Sequence, residues 1–149
     1  MKLKDSDYFE TPSNIFLDAC EFFKVYPTLD VCATKQNTKC QNYFSSNALE
    51  KNWSEDFFMN CPYSNGHPAA WVKYAYLQHV KHNVNGLALL PSSTGSEYWH
   101  NYIFDGKAEI LFCRGRIRFN LDGVKTKFNP TFDSVFVCWR KKTSEAFHN

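Results

Sequence analysis

Long apolar runs are missing from this chain. Nowhere do about 18 consecutive apolar residues occur, and the basic start Met1-Lys2-Leu3-Lys4 leads into no apolar stretch, so neither a membrane span nor a secretory leader is expected. Paired cysteines are missing too. Cys20, Cys32, Cys40, Cys61, Cys113 and Cys138 are scattered singly, with no CxxC and no Cys/His group at metal-binding spacing. They are expected to be reduced thiols, without a metal, in a cytoplasmic protein. No charge sign dominates: 17 Lys and Arg against 15 Asp and Glu leave a net +2, which permits nucleic-acid binding without demanding it. Repeats, low-complexity tracts and linkers are absent, so residues 1–149 are expected to form one domain, with recognition elements carried on its loops.

Aromatic residues, by contrast, are plentiful. Phe 14, Tyr 8 and Trp 4 exceed what a core of this size obviously needs, so some rings are expected in a binding cleft. Thr11 as N-cap and Pro12 at the first helical position open a helix that carries Ile15, Phe16, Ala19, Phe22 and Phe23 and ends near Lys24. Thr28 to Ala33 reads as a strand broken by Asp30, followed by a polar loop over 34–39. A second buried strand covers 56–59. Pro68 opens a helix to about His82, with Val72, Ala75, Tyr76 and Val80 on one side. Gly86 to Pro91 is continuously apolar, the pattern of a parallel strand covered on both faces, and Ser96 to Phe104 reads as a short helix. Ala108 to Cys113 is another strand, Arg116 to Phe119 and Lys125 to Phe128 flank the turn signal Asp122-Gly123, and Ser134 to Trp139 closes the sheet. The fold class is α/β, a mixed and mostly parallel sheet with an antiparallel C-terminal hairpin.

The chemistry concentrates in Asn60-Cys61-Pro62-Tyr63, directly after the apolar run Phe57-Phe58-Met59. In open α/β sheets ligands sit beyond the carboxyl ends of strands, where this segment is expected to fall. Asn, Pro and Ser are also ordinary turn residues, and a plain turn is the other reading. The amine of adenine is a poor nucleophile because its lone pair is delocalised into the ring. An Asn60 side-chain oxygen and the Cys61 carbonyl can each accept one amine N–H, drawing the nitrogen toward a tetrahedral form. Tyr63 can stack on a base flipped out of the duplex, and Pro62 stiffens the turn that sets the distances.

Around that segment stand Glu10-Thr11-Pro12, Leu29-Asp30-Val31-Cys32-Ala33, the stretch 37–44, Leu49 and Trp53, then Ser64 and Trp71-Val72-Lys73. Leu89-Leu90-Pro91, Trp99-His100, the stretch 114–119 and Asp133-Ser134 follow in order. Together these resemble the phage-type, Dam-like DNA N6-adenine methyltransferase family, whose catalytic tetrapeptide is Asp or Asn, Pro, Pro, then Tyr or Phe. The resemblance runs nearly end to end. It implies a compact Rossmann-like S-adenosylmethionine methyltransferase fold acting on DNA, with catalysis at Asn60, Cys61, Pro62 and Tyr63. In a phage-encoded protein the location would be the host cytoplasm. Cys61 stands where the family has Pro; it retains the backbone carbonyl but loses one fixed φ. The resemblance also implies cofactor binding by Thr11, Pro12, Asp30, Cys32, Ala33 and Asn60. Cys32-Ala33-Thr34 occupies the place of the usual glycine-rich turn, so the ribose grip is expected to be rebuilt between Asn37 and Asn47.

Arg114, Arg116 and Arg118 alternate, so on a strand they share a face; with Tyr63 and Ser64 they are candidates for DNA contact, and a solvated edge strand is the competing reading. Lys125, Lys127, Arg140, Lys141 and Lys142 are expected to extend that basic surface if they converge. Trp53, Trp71, Trp99 and His100 read first as packing residues. Two other functions fit parts of the pattern: a non-catalytic DNA-binding relative, and a protein-glutamine methyltransferase using the same tetrapeptide. Monomer and homodimer both remain open.

Overall fold

The computed structural model describes residues 10–63, 67–117, 120–121, 124–125 and 132–143. Ser64, Arg118, Lys127 and the turn Asp122-Gly123 lie outside them. Helix α1 spans Ser13–Phe23, one residue later than expected: Pro12 is the N-cap, and Lys24 ends the helix in the left-handed conformation at φ 56°. Thr11 does not cap the helix, because its hydroxyl is engaged across the fold.

Five parallel strands and one antiparallel strand build the sheet. They are β1 (Leu29–Asp30), β2 (Asn42–Tyr43), β3 (Phe57–Met59), β4 (Gly86–Pro91), β5 (Glu109–Phe112) and β8 (Ser134–Trp139), arranged β2-β1-β3-β4-β8-β5. β8 pairs antiparallel with both β4 and β5, so it is inserted between them rather than added at an edge. The pair β6 (Asn120–Leu121) and β7 (Val124–Lys125) forms a separate two-stranded antiparallel sheet; the strands expected at 116–119 and 125–128 lie largely outside the described residues. The strand expected at 108–113 is β5, which ends at Phe112. Gly115, with φ 69°, turns the chain there, so Arg114 and Arg116 stand on a loop and do not share a strand face.

Alternation along the strands sorts the core. Phe58, Leu87, Leu89, Phe136 and Cys138 pack with Phe16, Ala19, Cys20 and Phe23 of α1. Phe57, Met59, Ala88, Leu90, Val135 and Val137 pack on the other side with α2 (His67–His82) and α3 (Glu97–Tyr102). Both faces are covered, which is why β4 and β8 read as unbroken apolar runs. On α2, Val72 and Ala75 are buried but Val80 is exposed; the inward position belongs to Gln78, whose Oε1 accepts the Trp53 backbone N–H at 2.8 Å. Trp53 and Trp99 are fully buried, as expected for packing residues, and the Trp53 indole donates to the Ala48 carbonyl. Gly86 permits the close approach of β3 to β4, since a Cβ there would lie 2.4 Å from the Phe57 ring.

Candidate active site

The sheet order reverses at β1. From β1 the chain adds β2 on one side and then returns to place β3 on the other, so the carboxyl ends of β1 and β3 flank a switch point, the place where open α/β sheets bind ligands. A cleft of about 310 Å³ opens there. Of the residues expected at the site, Thr11, Asp30, Cys32, Ala33, Asn60 and Pro62 line it. The structure thus brings together three segments separated in sequence: the entry to α1, the end of β1 and the loop after β3.

Asp30 ends β1 and is 3% exposed. Its oxygens accept the backbone N–H groups of Cys32 at 3.3 Å and Lys39 at 3.0 Å. The Lys39 ammonium bonds instead to the Asn37 carbonyl, and among the described residues no ion pair reaches the carboxylate. Burial outweighs the two backbone bonds and the lysine's field, pushing the carboxyl up from 3.8 to about 6.

Asn60 is held at both ends of its amide. Its Nδ2 donates to Thr11 Oγ1 at 3.0 Å, and its Oδ1 accepts from the Tyr63 hydroxyl at 2.9 Å. That hydroxyl also reaches the Leu89 carbonyl in β4 at 2.7 Å. Having one hydrogen, it shares or alternates between the two acceptors. Burial drives the phenol well above its usual pKa of 10.0, so it stays a donor at all working pH values.

Tyr63 is therefore placed differently from a base-stacking ring open to the cleft. It is half-buried, does not line the cleft, and meets Phe132 edge-on at 5.4 Å. Cys61 is 3% exposed, its side chain packed into the core with Met59, Val72 and Trp99. A small apolar side chain thus fits where the family pattern has proline.

The cleft also has walls that the sequence marked only as a region. Phe44, Ser45, Ser46 and Asn47, following β2, line it, as does half-buried Trp71 of α2, which reads from sequence as a core residue. Asn47 adopts a left-handed φ of 55°, a signal visible only in the folded backbone. Arg114 and Arg116 follow the carboxyl end of β5, at the same end of the sheet as Asn60, because β5 runs parallel to β4. Three strand spacings separate them from β3, roughly 14 Å. Arg116 Nε lies 3.4 Å from Asp133 Oδ1, beside the Phe132 that touches Tyr63. Arg140, Lys141 and Lys142 do not join them. They follow β8 at the opposite end, where Arg140 pairs with Glu109.

The mixed α/β sheet thus carries a buried acid and the Asn60-Cys61-Pro62-Tyr63 segment at its switch point, the place where such sheets bind ligands. The family comparison makes this specific: the DNA N-6-adenine-methyltransferase (Dam) model matches residues 1–147, and the chain belongs to that family. The chain is also similar to a DNA N-6-adenine-methyltransferase of Haemophilus phage HP1 (strain HP1c1), 34% identical over 134 residues, covering 86% of this chain and 76% of the relative. No solved structure matches. Family membership implies a methyl donor and DNA as the substrate class.

Proposed function

We propose that the chain is an S-adenosylmethionine-dependent DNA adenine-N6 methyltransferase that acts on a flipped adenine, with Asn60 and the Cys61 carbonyl orienting the amine. The observation that carries this reading is that Asp30 and Asn60 line one cleft at the switch point.

The residues present fit such a cofactor. Buried Asp30 suits the cofactor's ammonium by a charge-assisted hydrogen bond, and its proton affinity means binding weakens as pH falls below about 6, where the carboxyl must first lose its proton. Phe44 and Trp71 offer aromatic faces, and Ser45, Ser46 and Asn47 offer hydroxyl and amide groups to an adenosine. When bound, S-adenosylmethionine supplies a methyl group made electrophilic by the sulfonium.

Asn60 Oδ1 and the Cys61 carbonyl each accept one amine N–H, which localises the nitrogen lone pair. Tyr63 supports this by holding the Asn60 amide, and its ring reaches a base only if the loop rearranges on DNA binding. No side chain is needed as a strong base, because the amine becomes acidic once methylated and releases its proton to water. Arg114 and Arg116 are assigned to phosphates flanking the target.

The test is expression in cells lacking adenine methylation, followed by digestion of their DNA to nucleosides. N6-methyladenine is expected with the wild-type chain, and Asn60→Ala is expected to cut it by about 10²–10³-fold, the usual cost of a lost transition-state hydrogen bond. Folded wild-type protein producing none, or Asn60→Ala retaining it, overturns the reading.

A further inference from the structure

We infer that Thr11 is a positioning residue whose hydroxyl holds the Asn60 carboxamide in its working orientation, rather than a direct ligand of the cofactor. The inference rests on the methyltransferase reading above and assigns Thr11 a different role there from the one the family resemblance implies.

Thr11 is 2% exposed and its Oγ1 sits 3.0 Å from Asn60 Nδ2. The two residues are 49 apart in sequence, and their contact ties the entry of α1 to the loop after β3. From Asn60 the chain of bonds continues through the Tyr63 hydroxyl to the Leu89 carbonyl, which β4 holds rigidly at full burial. Asn60 is thus suspended between a helix entry and a central strand.

That suspension has a chemical purpose. An amide rotates freely about its last single bond, and the two ends are opposite in hydrogen-bonding sense. An amine substrate needs the oxygen, not the nitrogen, turned toward it. Thr11 accepting from the nitrogen and Tyr63 donating toward the oxygen together select one orientation, so the site does not reorganise when the amine arrives. Because Thr11 and Asn60 both line the cleft, the clamp sits at the boundary between the cofactor's cleft and the amine site.

The experiment compares Thr11→Val, which keeps shape but removes the hydroxyl, with Thr11→Ser, which keeps the hydroxyl. Single-turnover methylation of duplex DNA is followed at saturating S-adenosylmethionine, with its Kd measured by calorimetry. Thr11→Val is expected to slow the chemical step about ten- to a hundredfold. The Kd should stay near the wild-type value, and Thr11→Ser should restore most of the rate. A raised Kd with an unchanged rate makes Thr11 a cofactor ligand and overturns the inference, as does no change in either.

Hydrogen exchange of the Asn60 side-chain amide, read by 15N NMR on the protein without substrate, separates this inference from the wider reading. Protection present in wild type and lost in Thr11→Val, or in Thr11→Ala where valine does not fold, supports the clamp even if the wild-type chain methylates no DNA. Equal exchange in wild type and variant overturns it.

Discussion

The two ends of the sheet use their polar side chains in different ways. At the amino end most such groups join neighbouring loops, although His82 Nε2 is buried without a partner among the described residues. Asp56 accepts the Asn85 backbone and side-chain N–H groups, and Glu55 accepts from Thr28 and Asn42. Asn83 and Asn85 in turn accept the backbone N–H groups of Lys142 and Lys141. These are mostly exposed or half-buried bonds between neighbouring loops, each contributing about 0.5–1.5 kcal/mol. At the carboxyl end Thr11 and Asp30 are almost fully buried and face a cleft. One end uses its polarity to join loops, whereas the other bears the cost of burying it. A buried acid held by backbone N–H groups alone, with its carboxyl raised, is the kind of perturbed group that points to a functional site.

Asp30 gives the largest test of that contrast. Its carboxyl is raised from 3.8 to about 6, so between those values the folded state holds more protons than the unfolded one. Stability therefore falls as pH rises through this window, and the full cost, about 3 kcal/mol, is present above pH 6. Asp30→Asn removes the charge and forfeits about one backbone hydrogen bond, worth about 1 kcal/mol. Urea unfolding without cofactor should show Asp30→Asn more stable than wild type at pH 8, about equal at pH 4.5, where roughly 1 kcal/mol of the cost remains and matches the lost hydrogen bond, and less stable at pH 3, while S-adenosylmethionine affinity drops. An identical stability difference at all these pH values would mean that burial does not perturb Asp30.

Gly86, at the amino end, sharpens the contrast from the structural side. A methyl group there meets the fully buried Phe57 ring, which is wedged edge-on against Trp53 at 5.0 Å and has little room to withdraw. Gly86→Ala is expected to cost about 1–3 kcal/mol by overpacking. Cofactor affinity of the folded protein should be unchanged, because the strain lies at the end of β3 opposite the cleft. Calorimetry below the unfolding transition checks this, and lost affinity with unchanged stability would reverse the assignment of the two ends.

Much of the fold was legible because burial on both sheet faces leaves unbroken apolar runs at 86–91 and 134–139, and because α1 repeats its buried residues at helical spacing. β2 was not: it has two residues, both exposed, and no pattern at that length distinguishes a strand from a loop. Nor could the insertion of β8 between β4 and β5 be read, since strand order is decided by tertiary packing rather than by either strand's own residues. At the site, Asn60 and Asp30 stood out as polar residues interrupting or ending apolar runs. Thr11's hydroxyl looked like a helix cap because its partner lies 49 residues away. The alternation of Arg114 and Arg116 suggested a strand, but Gly115 between them turns the backbone instead.

Those arginines provide the smallest and most direct comparison of the ends. Arg116 pairs with Asp133 at 3.4 Å, both side chains being more than half exposed, so the pair is worth at most about 1 kcal/mol and can yield to a phosphate. Lys141 is also exposed to solvent but lies beyond β8, on the far end. If DNA docks over the cleft, Arg116→Ala lowers the dependence of log affinity on log salt by about 1, while Lys141→Ala leaves that slope unchanged. Fluorescence anisotropy of a labelled duplex across a salt series reads both. A slope that responds to Lys141 and ignores Arg116 would put the DNA at the amino end, away from Asn60, and would separate the DNA-binding surface from the cleft.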